Sequence, residues 1–546
     1  DYLGDRGPAG GLEAKYEGGF ITETTKQRWG FDGELDSYFV HDRGIDEFGR
    51  LPTPVIDVNP DPLVEDLRVD RPDAEFRGHA LWQHQHFFPH GWQAQARLGW
   101  VSDPTYLEMY HRRHFQQRDP HDVSFYVKHQ EQTEAYYFLT VLQPNNIVTT
   151  ADLLQEQFEV ERLPEFGYHR IGDSILGDAA TLHSNNTVSA LRFNRTGATP
   201  REQGFPDDFN PGPGIPSLGQ TGVETDFTYR GDFRQEVDFP FSMGQFRFLP
   251  YLVGRYTGYS DSPMDGQKHR LYGGAGARVN TAFWKVDEDV RSRMFDLHRM
   301  RHVVEPEVQA YTSGTTVDRG EVFIYDEPID GIHDVSAVQV ALRQRWQTER
   351  GAPGRRRSVD VFALNVEGNF FANEPEDEIP PVNFRGLYFA TLPEASIPRE
   401  SLNADFTWRL SDTTVAMADL QYNLDESEWA TASAGLVVRR DERLSYFASL
   451  RYIELLDSNI ASVLAQYELS RKYQLTFQQS YDFGRSENVT SAIELKRRFD
   501  TFFVTFTFSY SLVDEQTGFS INIYPNWVRY GLDYGQLRDV FGPQGR

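Results

Sequence analysis

The chain has 546 residues, with 81 acidic and 54 basic side chains, a formal net charge of −27 and no cysteine. So acidic a surface repels phosphate backbones and sets nucleic acid aside as a partner, and the missing thiols exclude disulfides, thiolate zinc sites and thiol catalysis in this chain. No apolar run approaches the ~20 residues of a spanning helix, but the 14% of aromatic residues suits the girdles of a membrane barrel.

In chain order, "DYLGDRGPAGGLEAKY" (Asp1–Tyr16) carries Pro8, Gly10 and Gly11 into a first strand that Gly18 and Gly19 follow. Pro cannot donate to a ladder and Gly weakens a strand. Asp57–Asp73 is rich in Pro and acid and is expected to be a long, solvated loop, without EF-hand spacing. From Arg77 to Trp100 the pattern alternates. Ala80, Trp82, His84, His86 and Phe88 share one face against Leu81, Gln83, Gln85 and Phe87. After Pro89–Gly91, Trp92, Ala94, Ala96, Leu98 and Trp100 oppose Gln93, Gln95, Arg97 and Gly99. This is the strand period, and it predicts two antiparallel strands on a tight turn. His84 and His86 supply half of a metal site, which needs three or four converging ligands. They are expected to be girdle histidines beside Trp82 and Phe88, with no metal bound. Polar Gln83 and Gln85 opposite leave their face, lumen or lipid, open.

Ala151–Leu163 and Asp287–Met300 are weak helical candidates, the second reading better as a loop that leads into a strand. Arg201–Ser217 and Ala372–Gly386 are long loops rich in Pro, Gly and acid. "GGAGAR" (Gly273–Arg278) lies inside the strand-like stretch Lys268–Val286, where glycines permit bending, and is not expected to be a phosphate loop. In "RHVVEPEVQAY" (Arg301–Tyr311), Pro306 between Glu305 and Glu307 marks a bulge, a strand start or a break in pairing. Alternation returns at Leu402–Leu410, Leu444–Tyr452 and Phe502–Leu512, with short turns at Arg439–Arg443 and Ser470–Lys472. It ends with Phe519, Ile521 and Ile523 before Pro525.

Runs of about ten residues with one apolar and one polar face have the length a tilted strand needs to cross a bilayer. Short turns alternating with long loops complete the pattern. The expected fold is all-β: a large antiparallel transmembrane β-barrel of roughly 24–26 strands, one closed domain over residues 1–546. No nucleophile elbow, Walker loop or dinucleotide fingerprint stands in its proper context, so neither an enzyme nor a cofactor is expected.

Arg77–Tyr110 also resembles the LptD family of LPS-assembly outer-membrane proteins. The shared elements are Arg77–Gly78, His84–Gln85, Gly91–Trp92, Ser102–Asp103, Tyr106–Leu107–Glu108 and Tyr110. Leu163–Pro164–Glu165, Glu305–Pro306 and Ala341–Gly351 are similar too, and Asp1–Tyr16 resembles the family's first barrel strand. The resemblance implies a barrel of about 26 strands in the bacterial outer membrane. An LptE-like lipoprotein would plug it, periplasmic Lpt bridge proteins would supply it, and it would release lipopolysaccharide or a related glycolipid among outer-membrane lipids through a lateral gate. By position that gate joins Gly10–Gly18 to Phe519–Trp527, with Pro8, Gly19 and Pro525 at its ends. The family's N-terminal periplasmic jelly-roll domain is expected to be absent from this chain, and a disulfide like the one its well-known members use cannot form here. A general porin or TonB-type receptor barrel is the alternative, although no plug domain opens the chain. A soluble β-rich carbohydrate-binding protein or glycoside hydrolase is a third class.

Overall fold

The computed structural model describes residues 2–3, 6–21, 28–44, 46–47, 69–70, 75–103, 105–111, 121–145, 158–195, 226–263, 266–352, 354–372, 388–396, 398–441, 443–454, 457–511 and 516–525. The strands are β1 (Tyr2–Leu3), β2 (Gly7–Ile21), β3 (Arg28–His41), β4 (Asp46–Glu47), β5 (Val69–Asp70), β6 (Phe76–Phe87), β7 (Trp92–Val101), β8 (Val123–Glu131), β9 (Glu134–Leu142), β10 (Phe158–Ile175), β11 (Ala180–Arg195), β12 (Thr228–Asp238), β13 (Phe241–Met243), β14 (Phe246–Tyr259), β15 (Lys268–Asn280), β16 (Phe283–Ser292), β17 (Leu297–Thr315), β18 (Ser336–Arg350), β19 (Arg357–Phe371), β20 (Ser401–Ser411), β21 (Thr414–Asn423), β22 (Glu428–Arg439), β23 (Leu444–Ile453), β24 (Ser458–Glu468), β25 (Tyr473–Asp482), β26 (Glu487–Arg498), β27 (Phe502–Ser511) and β28 (Gln516–Pro525). Among the described residues, two α-helices of about one turn each, α1 (Tyr106–Tyr110) and α2 (Glu327–Asp330), lie in connections.

Twenty-six strands belong to one antiparallel sheet, and β4 and β5 pair separately. The all-β expectation and its strand number both hold. No described helix is long and apolar enough to cross a membrane. The chain divides into two compact units: residues 1–240, 250–275 and 313–334, and residues 241–249, 276–312 and 335–546.

In the first unit, consecutive strands pair from β2 to β3, β3 to β6, and on through β12. The β6–β7 turn holds His90 and Gly91 at φ 58° and 72°, a left-handed pair of the kind that closes tight hairpins. A side chain at Gly91 would also meet the Gln130 carbonyl oxygen at 2.1 Å. Two prolines explain two interrupted strands. Phe239, between β12 and β13, donates its amide to the Pro250 carbonyl, and Thr281, between β15 and β16, donates to the Pro306 carbonyl. Neither proline returns an N–H to the residue opposite, so each ladder breaks there. Pro306 is thus the break in pairing that its position in Arg301–Tyr311 allowed.

Up to residue 400 the connections alternate as expected. Residues 88–91, 132–133, 176–179, 244–245 and 293–296 are short; residues 42–75, 102–122, 143–157, 196–227, 316–335 and 372–400 are long. From Ser401 onward the alternation is lost. Residues 412–413, 424–427, 440–443, 454–457, 469–472, 483–486 and 499–501 are all short, and β20 to β28 form a plain meander.

The helical candidates are corrected. Phe158–Leu163 is strand, and residues 151–157 lie outside the described residues. Asp287–Ser292 and Leu297–Met300 are strands around a turn. Both segments alternate too weakly to show the strand period, and pairing with neighbouring strands decides them. The loops Asp57–Asp73, Arg201–Ser217 and Ala372–Gly386 lie almost wholly outside the described residues.

Candidate functional site

The two faces of the sheet are inverted relative to a soluble protein. In the first unit, Arg230, Asp232 and Arg234 of β12 are buried, while Tyr229 and Phe233, on the opposite face, are exposed. In β14, Arg255 and Thr257 are buried and Leu252 and Tyr256 are exposed. The second unit repeats this: Glu307 and Gln309 are buried in β17 and Val308 between them is exposed, and in β27 Thr505 is buried while Phe506 and Phe508 are exposed. Water alone would not hold such an arrangement, because exposed apolar bands and buried charges both cost free energy there. Lipid outside and a polar interior remove both costs.

On the first unit's buried face, the ends of β3, β6 and β7 converge on Arg77, which is fully buried. Its fork grips Asp103 with Nε to Oδ2 at 2.9 Å and Nη2 to Oδ1 at 2.7 Å. Nη1 donates to Asp42 Oδ2 at 2.8 Å, and Nη2 also donates to Thr105 Oγ1 at 3.1 Å. Ser102 Oγ accepts from the Gly78 amide and donates to Asp103. Tyr110 Oη, at the end of α1, donates to Asp42, and Arg6 reaches Asp42 at 3.0 Å. Burial works to raise the pKa of Asp103, but the hydrogen bonds and charge of Arg77 outweigh it and hold the carboxyl below its ordinary value. Asp42 behaves alike, its burial outweighed by Tyr110, the Gly44 amide and Arg77. Arg77, Gly78, Ser102, Asp103, Tyr106 and Tyr110, scattered in sequence, therefore form one clamp that ties the two connections at residues 42–75 and 102–122 to the strand ends. Asp42 and Arg6 belong to it and carried no sequence signal.

A second cluster forms where residues 316–334 pack on the buried face of β10, β11, β12, β14 and the start of β15. Its first requirement is a bulge. Arg162 pairs with Leu191 and Glu165 with Ser189, so three steps on β10 match two on β11. Leu163–Pro164 supplies the extra residue, with a cis bond before Pro164. The slip puts Arg162 and Glu165 on one face, which regular alternation would forbid. Arg162 then reaches Glu165 at 2.7 Å and both oxygens of Asp326. Arg230 donates to Asp330 Oδ2 at 2.7 Å and to Asp326 Oδ2 at 2.6 Å. Arg255 forks on Asp232 and donates to the Pro328 carbonyl at 3.0 Å. Arg270 donates to the carbonyls of Ile329 and Asp330 and to Tyr259 Oη. Asp330, fully buried, also accepts from Tyr259 Oη and from the amides of Tyr325 and Asp326. Phe193 stacks on Tyr325 at 4.4 Å, and Val317 and Val322 pack with Tyr259. Burial pushes the Tyr325 hydroxyl up to about 12. Burial also works to raise Asp326, but Arg162 and Arg230 prevail and lower it.

His84, His86 and Trp82, all half-buried, share one face of β6, opposite the buried Arg77, His79 and Leu81. They join an aromatic ladder with Tyr16, Phe31 and Phe88. Trp82 Nε1 donates to Tyr16 Oη, which sits 2.9 Å from His84 Nδ1. Tyr16 reaches them across Gly33, where a Cβ would meet its Oη at 2.2 Å. Gln85 points to the other face and Trp92 is exposed. Among the described residues no group of three His, Asp or Glu could hold a metal ion. In the second unit Glu305 pairs with Arg345 at 2.7 Å and Glu307 with Arg343 at 3.3 Å, beside a polar cavity of about 620 Å3. Of the residues placed at a lateral gate, Pro8, Gly10, Gly11, Gly18 and Gly19 lie in β2, and Phe519, Ile521, Ile523 and Pro525 in β28. β2 also pairs with Tyr2–Leu3 at Gly7 and Pro8. Phe519, Ile521 and Ile523 share an exposed face; Asn526 and Trp527 lie outside the described residues.

Residues 75–479, well over half of the chain, match LptD, LPS transport system D. The chain belongs to the LptD family. It is thereby an outer-membrane protein of lipopolysaccharide transport, with the Lpt system as its partners. The match spans the Arg77 clamp from Arg77 onward, the Leu163–Pro164 bulge and the loop at 316–335. No curated protein matches the sequence. Among solved structures, the siderophore receptor PirA from Pseudomonas aeruginosa is similar at 8% identity, TM-score 0.32, over 94% of this chain and 78% of that one. The copper transporter OprC is similar at 8% identity, TM-score 0.34, over 95% and 79%.

Proposed function

We propose that this LptD-family chain inserts lipopolysaccharide, or a related glycolipid, into the outer leaflet of the outer membrane. In this reading the sheet closes into one barrel, and its buried polar face lines a lumen that an LptE-like lipoprotein plugs. Periplasmic bridge proteins deliver the glycolipid, and its acyl chains leave through a lateral gate between β2 and β28. The protein is a conduit and not an enzyme: it holds a polar head group in a polar lumen while the chains pass into lipid.

The observation that carries the reading is the inverted sheet in a chain of this family, with buried arginines and carboxylates on one face and apolar side chains on the other. β2 adds support for a weak seam. Nearly all of its side chains are exposed, and Gly10, Gly11, Gly18 and Gly19 leave it little to pack. A cysteine pair placed in β2 and β28 tests the gate, and the absence of other cysteines makes the cross-link unambiguous. Oxidation should abolish surface display of lipopolysaccharide and reduction should restore it. Display unimpaired with the seam locked would refute the gate. Ion conduction by the plugged complex in planar bilayers would favour the porin alternative instead.

A further inference from the structure

We propose that Arg162, Arg230, Arg255 and Arg270 form a binding site for the phosphate groups of the transported glycolipid, and that residues 316–335 mask it. The inference rests on the transport reading above and names the recognition chemistry and its regulation.

The charges motivate it. Four arginines converge, and the strands supply two carboxylates against them: Glu165 beside Arg162 and Asp232 beside Arg255. The other two, Asp326 and Asp330, come from the loop. With the loop away, two positive charges would face the polar interior uncompensated. The loop is also an imperfect partner. Arg270 meets neutral acceptors there, two carbonyls and a phenol. Nε of Arg230 and Nε of Arg270 are buried without an acceptor, although both side chains are fully buried. A buried guanidinium with an unmet N–H is costly, and each such group calls for an explanation, which a bound anion would supply. A phosphate offers more oxygens than a carboxylate and suits the guanidinium fork. Asp326 and Asp330 then stand where phosphate oxygens would bind, and α2 acts as an internal substitute for them.

The loop is held by a reversible set of contacts: the ion pairs, the Phe193–Tyr325 stack and the small cluster of Val317 and Val322 with Tyr259. Exchange of one anion for another on the same arginines needs no rearrangement of the sheet. The site would therefore be closed at rest and open to a phosphorylated head group.

The test uses the complete outer-membrane complex in detergent, with lipopolysaccharide and its dephosphorylated form as probes. Two changes oppose each other. Asp326→Asn with Asp330→Asn should free the loop, seen as new protease cleavage within 316–335. It should raise binding of phosphorylated lipopolysaccharide at least tenfold and leave the dephosphorylated form unchanged. Phe193→Cys with Tyr325→Cys should lock the loop when oxidised and remove the preference for the phosphorylated form, restored on reduction. Equal gain for both probes, or no gain with the loop demonstrably cleaved, would overturn the site. If the opened variant does not fold, the locked one decides: an unchanged phosphate preference in the oxidised state refutes the proposal. Normal surface display alongside such a result would leave the transport reading standing, since only the gate experiment bears on that.

Discussion

Arg77 shows how a single side chain organises one edge of the first unit. A fully buried guanidinium is tolerable because Asp103 and Asp42 reach it from two different connections. Removing one partner leaves a charge that has lost its water and half its compensation. Asp103→Asn should therefore destabilise the protein by about 3–5 kcal/mol, read as a fall in the urea midpoint of the heat-modifiable band, while Asp103→Glu should recover part of it. Acid should act at the same place. Asp103, Asp42 and Asp326 all sit below the ordinary carboxyl value of 3.8 in the folded protein. Their contribution is complete above that value and is lost as pH falls through the lower folded values. Protease sensitivity of residues 316–335 should thus appear only below about pH 4; cleavage at pH 6 would contradict the role given to Asp326.

For the elements, strand length and alternation were legible because one face meets apolar surroundings and the other does not. Trp92, Ala94, Ala96, Leu98 and Trp100 share the exposed face of β7 as their spacing indicated. His84 and His86 could not be assigned in advance, because Gln83 and Gln85 opposite are equally polar; only the register to Ala96 and Ala94 decides it. The packed loop was not legible at all. The arginines that hold it lie 59 to 164 residues away, and "DEPID" has no period to read. The Leu163–Pro164 bulge sits between these cases: the motif was visible, but what it does required the pairing. Its role can be checked by deleting Pro164. Regular alternation would return, and Arg162 and Glu165 would fall on opposite faces. The loop at 316–335 should then become protease-sensitive at neutral pH, while Pro164→Ala, which keeps the residue count, should leave it protected.

Across the whole molecule, the inverted faces make a comparison that no soluble sheet would pass. Leu252→Lys, on the exposed face of β14, should cost about 2–4 kcal/mol in a bilayer if it lies near mid-depth. Gln93→Lys, on the other face of β7, should cost far less. Equal effects, measured by urea unfolding in lipid vesicles, would argue against lipid on the exposed face. The difference between the two stretches of the chain also carries a consequence in time. From Ser401 to Pro525 each strand meets its neighbour across a turn of two to four residues, so every pairing closes a short loop. Before that, pairings wait on connections such as 42–75 and 196–227, whose closure costs more chain entropy and brings together residues far apart in sequence. The strands from Ser401 onward, synthesised after those before them, are then the first able to zip, and they would offer the earlier strands a finished edge on which to assemble.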